Sequence, residues 1–249
     1  MKVLLVGGSG LVGSSIAPYL LRRHEVRVLD IHPPDREGIE FVRGSICDAE
    51  VVARALEGCD TFINMVMKGP QRGTSTEQSI ELIVSNYEVN TLGLHLLLYG
   101  AQQVGIRYGV HTSTMTVHDR NRTWYGQEEG LPLDSPSVYG LTKGLGEDIC
   151  RYFARWFDMS IVALRITGPR RRTDYLTERR GRSADFQGPI FATDEEDLAR
   201  AYLSAFEVAA VGHGRFEAIF IAGDEGEQHH NLTKARRVLG WVPESQRYI

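Results

Sequence analysis

The sequence has few cysteines and no long apolar run. Its three cysteines, Cys47, Cys59 and Cys150, are an odd and scattered set that fits neither a disulfide framework nor a zinc site. No stretch reaches the roughly 18 apolar residues of a membrane span. The apolar run at residues 3–6 meets glycine too early for the apolar segment of a secretory signal. We therefore expect a cytoplasmic protein that does not enter membranes.

An excess of charge of one sign is also missing. Lysine and arginine number 28 against 32 acidic residues, which leaves a net charge of −4, so nothing favours nucleic acid or a membrane surface as a partner. Adjacent His229 and His230 lack a third ligand at metal-binding spacing, and we expect no metal. The one dense basic run consists of Arg170, Arg171, Arg172, Arg179, Arg180 and Arg182.

Short apolar runs alternate with helical periodicity over the first two-thirds of the chain. The apolar runs predict strands at residues 3–6, 26–29, 41–42, 61–63, 108–111 and 161–164, and the periodic segments predict helices at 48–57, 80–103 and 137–157. This alternation is typical of an α/β fold with a Rossmann-type, doubly wound parallel sheet. After Gly168 the regular alternation of strands and helices stops, and a further strand is predicted at 216–221. We therefore predict a main domain at residues 1–168 and a small C-terminal substrate-binding annex at 169–249, partly interleaved with the main sheet.

A glycine-rich loop joins the first predicted strand to the first helix. Gly7, Gly10 and Gly13 have the spacing G-x-x-G-x-x-G, which lets the backbone approach a pyrophosphate. The helix that follows offers free N–H groups and its positive dipole end, so Leu11 and Val12 join the predicted phosphate site. A tight strand-to-helix turn without ligand is the alternative, but the order strand, loop, helix favours a dinucleotide-binding domain.

Two aspartates follow the next predicted strands. Asp30 ends the second strand, where a carboxylate accepts hydrogen bonds from the adenosine ribose and repels a 2′-phosphate. Because no arginine follows it, we predict that the cofactor is NAD rather than NADP. Asp48 can reach the adenine amino group or, equally, cap the helix that it precedes.

Tyr139 and Lys143 form a Y-x-x-x-K motif. The chain has ten tyrosines and four lysines, so the motif is expected by chance only about 0.16 times. Residues four apart share a helix face, and a cation beside a phenol lowers its pKa from about 10 toward working pH. We therefore predict that Tyr139 exchanges a proton with a substrate hydroxyl during hydride transfer and that Lys143 can also hold the nicotinamide ribose.

Three hydroxyl residues end the fifth predicted strand, where parallel sheets bind their ligands. Thr114 is the candidate that orients a substrate oxygen toward Tyr139, and Thr112 and Ser113 compete for this role. Past the sixth strand, the arginine run is predicted to form a loop over the substrate side of the cleft. Arginine suits carboxylate or phosphate oxygens, and Arg170 and Arg172 are the leading candidates for an anionic substrate group.

Four further segments carry a family resemblance, at residues 86–93, 139–165, 192–201 and 234–241. Together with the glycine loop, Asp30, Thr114 and the Y-x-x-x-K motif, they resemble the extended short-chain dehydrogenase/reductases, and among these the NAD-dependent epimerase/dehydratase family. The resemblance implies that Thr114, Tyr139 and Lys143 form a catalytic triad, and that Gly7, Gly10, Gly13, Asp30 and Asn90 belong to the NAD site. It also implies a homodimer packed through the two long helices.

The sequence departs from the family pattern at the substrate side. Residues 166–169, Ile-Thr-Gly-Pro, lack the asparagine that contacts substrate in the family, and Met115 and Thr116 replace the acidic pair of dehydratases. The shortened C-terminal part is similar to that of uronate dehydrogenases. We therefore expect an NAD-dependent oxidoreductase acting on a sugar carbinol, as a sugar or sugar-acid dehydrogenase. The alternatives are a nucleotide-sugar 4-epimerase that retains NAD and, in another class, a non-catalytic NAD-binding module.

Overall fold

The computed structural model describes residues 1–69, 76–180, 192–212 and 214–245. Within them, one parallel sheet of seven strands has the order β3-β2-β1-β4-β5-β6-β9. Its strands are β1 (Lys2–Val6), β2 (Glu25–Asp30), β3 (Glu40–Arg43), β4 (Thr61–Asn64), β5 (Tyr108–Thr114), β6 (Ser160–Ile166) and β9 (Phe216–Ile221), and a separate short pair is formed by β7 (Pro169–Arg170) and β8 (Thr193–Asp194). The predicted α/β doubly wound fold is confirmed.

Helices cover both faces of the sheet. They are α1 (Leu11–Leu20), α2 (Ala49–Leu56), α3 (Ile80–Tyr87), α4 (Leu94–Gln103), α5 (Val138–Trp156), α6 (Arg172–Arg180) and α7 (Glu195–Val211). One face packs on α1 and α7, and the other on α2, α4 and α5. The apolar runs form strands because both faces are covered: in β1, residues 3–6 are fully buried.

The long helix predicted over residues 80–103 is continuous but not uniform. A π-helical segment, Glu88–Gly93, joins α3 to α4. A second π-helical segment, Ala235–Leu239, lies near the end of the described chain. The structure of the arginine run differs more clearly from the prediction, which made it a loop. Residues 169–170 pair with β8 and Arg172 begins α6, while Arg182 lies outside the described residues.

The C-terminal third contributes to the main sheet. Strand β9 pairs with β6 over six residues, and α7 packs on α1. Whether residues 169–249 act as a distinct substrate-binding part stays a prediction. Among the described residues, no helix has the length and apolar character needed to cross a membrane, and no three His, Cys, Asp or Glu side chains lie close enough to share a metal ion.

Candidate active site

A cavity of about 640 Å³ lies at the carboxyl ends of the central strands. The sheet register explains its position, since Val6 of β1, Asn64 of β4 and His111 of β5 lie side by side. The cavity runs from the glycine loop and Asp30 to Thr114, Tyr139 and Lys143. The sequence-predicted cofactor and catalytic residues therefore lie mostly around one space.

The glycine loop forms a backbone cradle at one end of the cavity. Gly7 has a φ of +81°, and a Cβ there would stand 2.8 Å from the Val66 nitrogen. A Cβ on Gly13 would stand 2.5 Å from the backbone of Gly8, so the turn needs glycine at both positions. Gly10 precedes α1 without a side-chain cap, which leaves the first N–H groups of the helix, from Leu11 onward, available to a phosphate. This cradle fits a dinucleotide pyrophosphate.

Asp30 lies beside this cradle. One carboxylate oxygen accepts from the N–H of Ser9 at 3.0 Å and the other from the N–H of His32 at 3.1 Å. Each oxygen keeps a further lone pair for a ribose hydroxyl. Asp48, in contrast, caps α2 by accepting from Glu50 and Val51 and does not line the cavity. The capping alternative is the one that the structure shows.

The three hydroxyl residues at the end of β5 point to different partners. Thr112 bonds to the hydroxyl of Tyr202, and Ser113 donates to Glu147 at 2.6 Å. Thr114 lines the cavity together with Tyr139 and lowers the pKa of the phenol, and its hydroxyl oxygen also accepts from the N–H of Thr116 at 3.1 Å. Thr114 is therefore the hydroxyl placed to act with Tyr139, whereas the Ser113 side chain is committed to α5.

Tyr139 lies in the first turn of α5. Ser137 caps this helix, since its hydroxyl oxygen accepts from the N–H of Gly140 at 3.0 Å. The phenol also lies 3.3 Å from the sulfur of Met67. Burial raises the pKa of Tyr139, and Thr114 alone among its neighbours offsets this. The predicted lowering of the Tyr139 pKa by Lys143 is therefore not what the structure shows.

Lys143 points toward β5. Its ammonium nitrogen lies 2.6 Å from the Thr112 carbonyl and 3.4 Å from His111 Nε2. Burial lowers the pKa of Lys143 to about 8, although Cys150 and Glu147 act in the opposite direction. The helical spacing of the motif placed the residue at the cavity, but its side chain donates to the Thr112 carbonyl of β5.

Asn90 does not line the cavity. Its amide holds the backbone of Lys68 from both sides, at 2.9 and 3.1 Å, and also bonds to Asn86 and Thr142. Asn90 lies in the π-helical segment, and its hydrogen bonds connect Lys68, which follows β4, to Thr142 of α5. The structure thus gives Asn90 a positioning role at the cavity wall rather than a free amide for NAD.

The two predicted substrate arginines are held by carboxylates outside the cavity wall. Arg170 pairs with Glu178 at 3.0 Å, and Arg172 pairs with the buried Asp194 at 2.9 Å and also with Glu196. Arg171 instead reaches α1, where it donates to the Ser14 hydroxyl at 3.1 Å. The sequence singled out the basic run but could not show which members were already paired.

Several cavity residues were missed from the sequence. Met65, Met67 and Lys68 follow β4 and form one wall, and His111 lies behind Lys143. Their position after a parallel strand was an available signal, because the carboxyl ends of such strands meet at one edge. Their residue types gave no signal of a functional site.

The site is of the type found in nucleotide-dependent oxidoreductases, because a doubly wound sheet brings together the glycine cradle, the strand-end Asp30 and the Thr114–Tyr139 pair. The profile of the NAD dependent epimerase/dehydratase family matches residues 3–178. The chain belongs to this family, as its sequence motifs indicated, and its cofactor is NAD.

Individual relatives differ in how much of the chain they match. A 3 beta-hydroxysteroid dehydrogenase/Delta 5-->4-isomerase of Mycobacterium tuberculosis is 33% identical over 59% of this chain, but the match spans only 41% of that protein. An NAD-dependent glucose-6-phosphate dehydrogenase of Haloferax volcanii is 24% identical, over 97% of this chain and 92% of the relative. Among solved structures, a mutated uronate dehydrogenase superposes with a TM-score of 0.79 at 24% identity, covering 99% of this chain and 83% of the other. The fold is thus shared along the whole chain.

Proposed function

We propose that this protein is an NAD-dependent dehydrogenase that oxidises a carbinol of a sugar or sugar acid. The observation that carries the proposal is that Thr114 and Tyr139 line the same cavity as the glycine cradle and Asp30. Two relatives matched along nearly the whole chain, the glucose-6-phosphate dehydrogenase and the uronate dehydrogenase, support this substrate class.

Each residue of the pair has a separate task. Thr114 orients the substrate hydroxyl. The phenol of Tyr139 first loses its own proton to solvent through the cavity, and the phenolate then takes the proton of the substrate hydroxyl as the carbon gives up hydride. Because burial raises the pKa of the phenol, this step should become faster as pH rises. NAD, when bound, supplies the hydride acceptor. The first N–H groups of α1 hold its pyrophosphate and Asp30 its adenosine ribose. Lys143 keeps its contact with the Thr112 carbonyl and so secures α5 against the end of β5.

The shape of the C-terminal part favours a small substrate over a nucleotide sugar. Beyond β6, the described residues form two short strands, α6, α7, β9 and a π-helical segment, and the last three pack on the sheet or on each other. These elements therefore belong to the sheet and to the layers that cover it. We therefore propose a free sugar or a uronate. Contact of a uronate carboxylate with Arg170 would require this arginine to exchange its Glu178 partner for the substrate.

A substrate panel tests this function. The protein is supplied with NAD and, separately, neutral aldoses, free uronic acids and nucleotide sugars, while NADH absorbance and product stereochemistry are followed. Stoichiometric NADH from a free sugar or uronate is the expected result. Interconversion of a nucleotide sugar without net NADH would replace the proposal by the 4-epimerase, and NAD binding without any turnover would favour the non-catalytic module.

We also propose a cytoplasmic homodimer. The outer faces of the 80–103 helix and of α5 carry exposed apolar side chains, which are Ile80, Val84, Tyr87, Leu92, Tyr99, Leu141, Tyr152 and Trp156. Tyr87, Leu145 and Tyr152 share one groove between these helices. Apolar surface of this extent is typical of protein interfaces. All three cysteines are free, in keeping with a reducing compartment.

A further inference from the structure

A second lysine, Lys68, lies at the wall of the cavity. Its side chain is exposed and lines the same space as Tyr139. Among the described residues, the lysine, arginine, aspartate and glutamate side chains that line this cavity are Asp30, Lys68 and Lys143. Asp30 lies at the glycine cradle, and Lys143 donates to a backbone carbonyl of β5. Lys68 is therefore the cation of this wall that faces a ligand.

The ammonium group of Lys68 differs from those of two other lysines in the chain. Lys2 pairs with Glu40, and Lys234 pairs with Glu217 at 2.9 Å. In the part of the chain that the structure describes, no carboxylate forms an ion pair with Lys68. A cation without a counter-charge in the wall of a cavity attracts a negatively charged ligand and forms charge-assisted hydrogen bonds with it.

The backbone of Lys68 is held in place by a buried side chain. Asn90 is only 2% exposed. Its Oδ1 accepts from the Lys68 N–H at 2.9 Å, and its Nδ2 donates to the Lys68 carbonyl at 3.1 Å. The same Nδ2 donates to the hydroxyl of Thr142 on α5 at 3.1 Å. Because Thr142 lies between Tyr139 and Lys143 on that helix, the base of the Lys68 side chain is fixed relative to the catalytic phenol.

Lys68 is also close to that phenol along the chain. The preceding residue, Met67, has its sulfur 3.3 Å from the Tyr139 hydroxyl. The four-carbon stem of lysine is long and flexible, so the Lys68 ammonium can reach other groups of a small molecule whose hydroxyl contacts Tyr139. Arg170, in contrast, lies outside the cavity wall and is paired with Glu178 at 3.0 Å. Lys68 needs no exchange of partner to meet an anion.

We propose that Lys68 makes the site specific for an anionic sugar, by binding the carboxylate of a uronate or the phosphate of a sugar phosphate. The ammonium is a compact point charge that donates to either kind of oxyanion. A neutral aldose offers no counter-charge and gains nothing from Lys68. This inference rests on the proposed function in one respect, namely that the ligand is a sugar whose hydroxyl meets Tyr139.

The experiment measures sugar binding apart from turnover. Calorimetric titrations use the NAD-loaded Tyr139→Phe protein, in which bound sugar is not oxidised, with glucuronate, galacturonate, glucose 6-phosphate, glucose and galactose as probes. The uronates and the sugar phosphate distinguish the two sources of charge. Lys68→Met removes the charge at similar length, Lys68→Arg keeps it, and Lys2→Met is the matched control at the opposite end of β1.

We expect an anionic sugar to bind at least about tenfold tighter than its neutral counterpart, the scale of a charge-assisted hydrogen bond. Lys68→Met should remove this difference and leave the Kd values of glucose and NAD nearly unchanged. Lys68→Arg should restore most of it, and Lys2→Met should have no effect. Added salt should weaken the binding of the anionic sugar alone.

Three results would overturn the assignment. They are binding of none of the anionic sugars, an unchanged Kd for them in Lys68→Met, and a Kd for NAD that rises in Lys68→Met by a similar factor, which would assign the ammonium to the cofactor phosphates. Initial rates of the protein with Tyr139 intact separate this inference from the proposed function. Lys68-dependent binding of an anionic sugar without NADH formation would contradict the dehydrogenase alone, whereas oxidation of an anionic sugar with an unchanged KM in Lys68→Met would contradict the role of Lys68 alone.

Discussion

The hydroxyl of Tyr139 lies 3.3 Å from the sulfur of Met67 and donates to it. A thioether is a weak acceptor, so this contact holds the phenol in the cavity without competing strongly with a substrate oxygen. Met67 is itself half exposed. The phenol is thus positioned by Thr114 and shielded by a side chain that can yield to substrate.

Met67→Leu tests whether the sulfur matters to the chemistry. Leucine keeps most of the volume and removes the acceptor, and volume-conserving exchanges of this kind are well tolerated. We expect turnover within about threefold of wild type and a KM changed by a similar factor, because the substrate hydroxyl replaces sulfur as the partner of the phenol. Initial rates on the substrate found in the panel measure this. A loss of turnover beyond about 100-fold would assign Met67 a direct part in proton transfer.

Asp30 predicts the choice between the two nicotinamide cofactors. The 2′-phosphate of NADP would meet its carboxylate, so NAD should bind at least about tenfold tighter. Asp30→Asn removes the charge at nearly the same shape and should narrow that difference. Calorimetric titration of both cofactors gives the two Kd values, with Asp35→Asn as a control at an exposed aspartate. Equal affinity of the wild-type protein for NAD and NADP would rule out this role of Asp30.

The arginines after β6 should separate into different roles. Arg170→Ala should raise the KM for an anionic substrate, whereas Arg172→Ala should chiefly lower stability, because Asp194 is left buried without its counter-charge. Loss of one partner of such a pair costs about 1–3 kcal/mol, which a denaturant titration can measure. Burial already raises the pKa of Asp194. An unchanged KM in both variants would exclude both arginines from substrate binding.

The Arg172 variant also carries a pH signature. With Arg172 absent, the pKa of Asp194 should rise further, since this pair lowers it in the wild-type protein. A carboxyl whose folded pKa lies above its unfolded value destabilises the fold as pH rises through the unfolded and then the folded pKa. The stability difference between Arg172→Ala and wild type should therefore shrink as pH falls below that range. A difference independent of pH would show that lost packing, rather than charge, causes the effect.

Tyr152→Arg tests the proposed dimer. The residue lies in the groove between the two long helices and is exposed in the single chain, so a charge there should not disturb the fold but should oppose an apolar interface. Light scattering after gel filtration should show a dimer for the wild type and a monomer for the variant. A wild-type protein that stays monomeric at high concentration would refute the proposal.

Much of the fold could be predicted because its signals are local. The run at residues 3–6 has no polar break, and only a strand covered on both faces accommodates it. Helical spacing likewise located α5, although its bounds shifted by one residue at each end. The π-helical segment at Glu88–Gly93 was missed, since its i to i+5 bonds leave no residue pattern that differs from that of an α-helix.

The site was predictable in its location but not in its side-chain directions. Spacing alone brought Tyr139 and Lys143 to one helix face, yet Lys143 turns to the Thr112 carbonyl of a strand 31 residues earlier. Likewise, three adjacent hydroxyls look equivalent in sequence, and only the positions of Tyr202 and Glu147 separate Thr112 and Ser113 from Thr114. These choices depend on tertiary contacts, which a single sequence does not contain.

The most direct test of the account is the turnover of Tyr139→Phe at saturating NAD, measured beside its Kd for NAD. The change removes one oxygen from a residue that lines the substrate side of the cavity. The account predicts a loss of turnover of at least about 100-fold, the scale of a lost general acid–base group, with the Kd for NAD nearly unchanged. Turnover close to that of the wild type would contradict it, because the proton would then leave by a route that does not involve Tyr139.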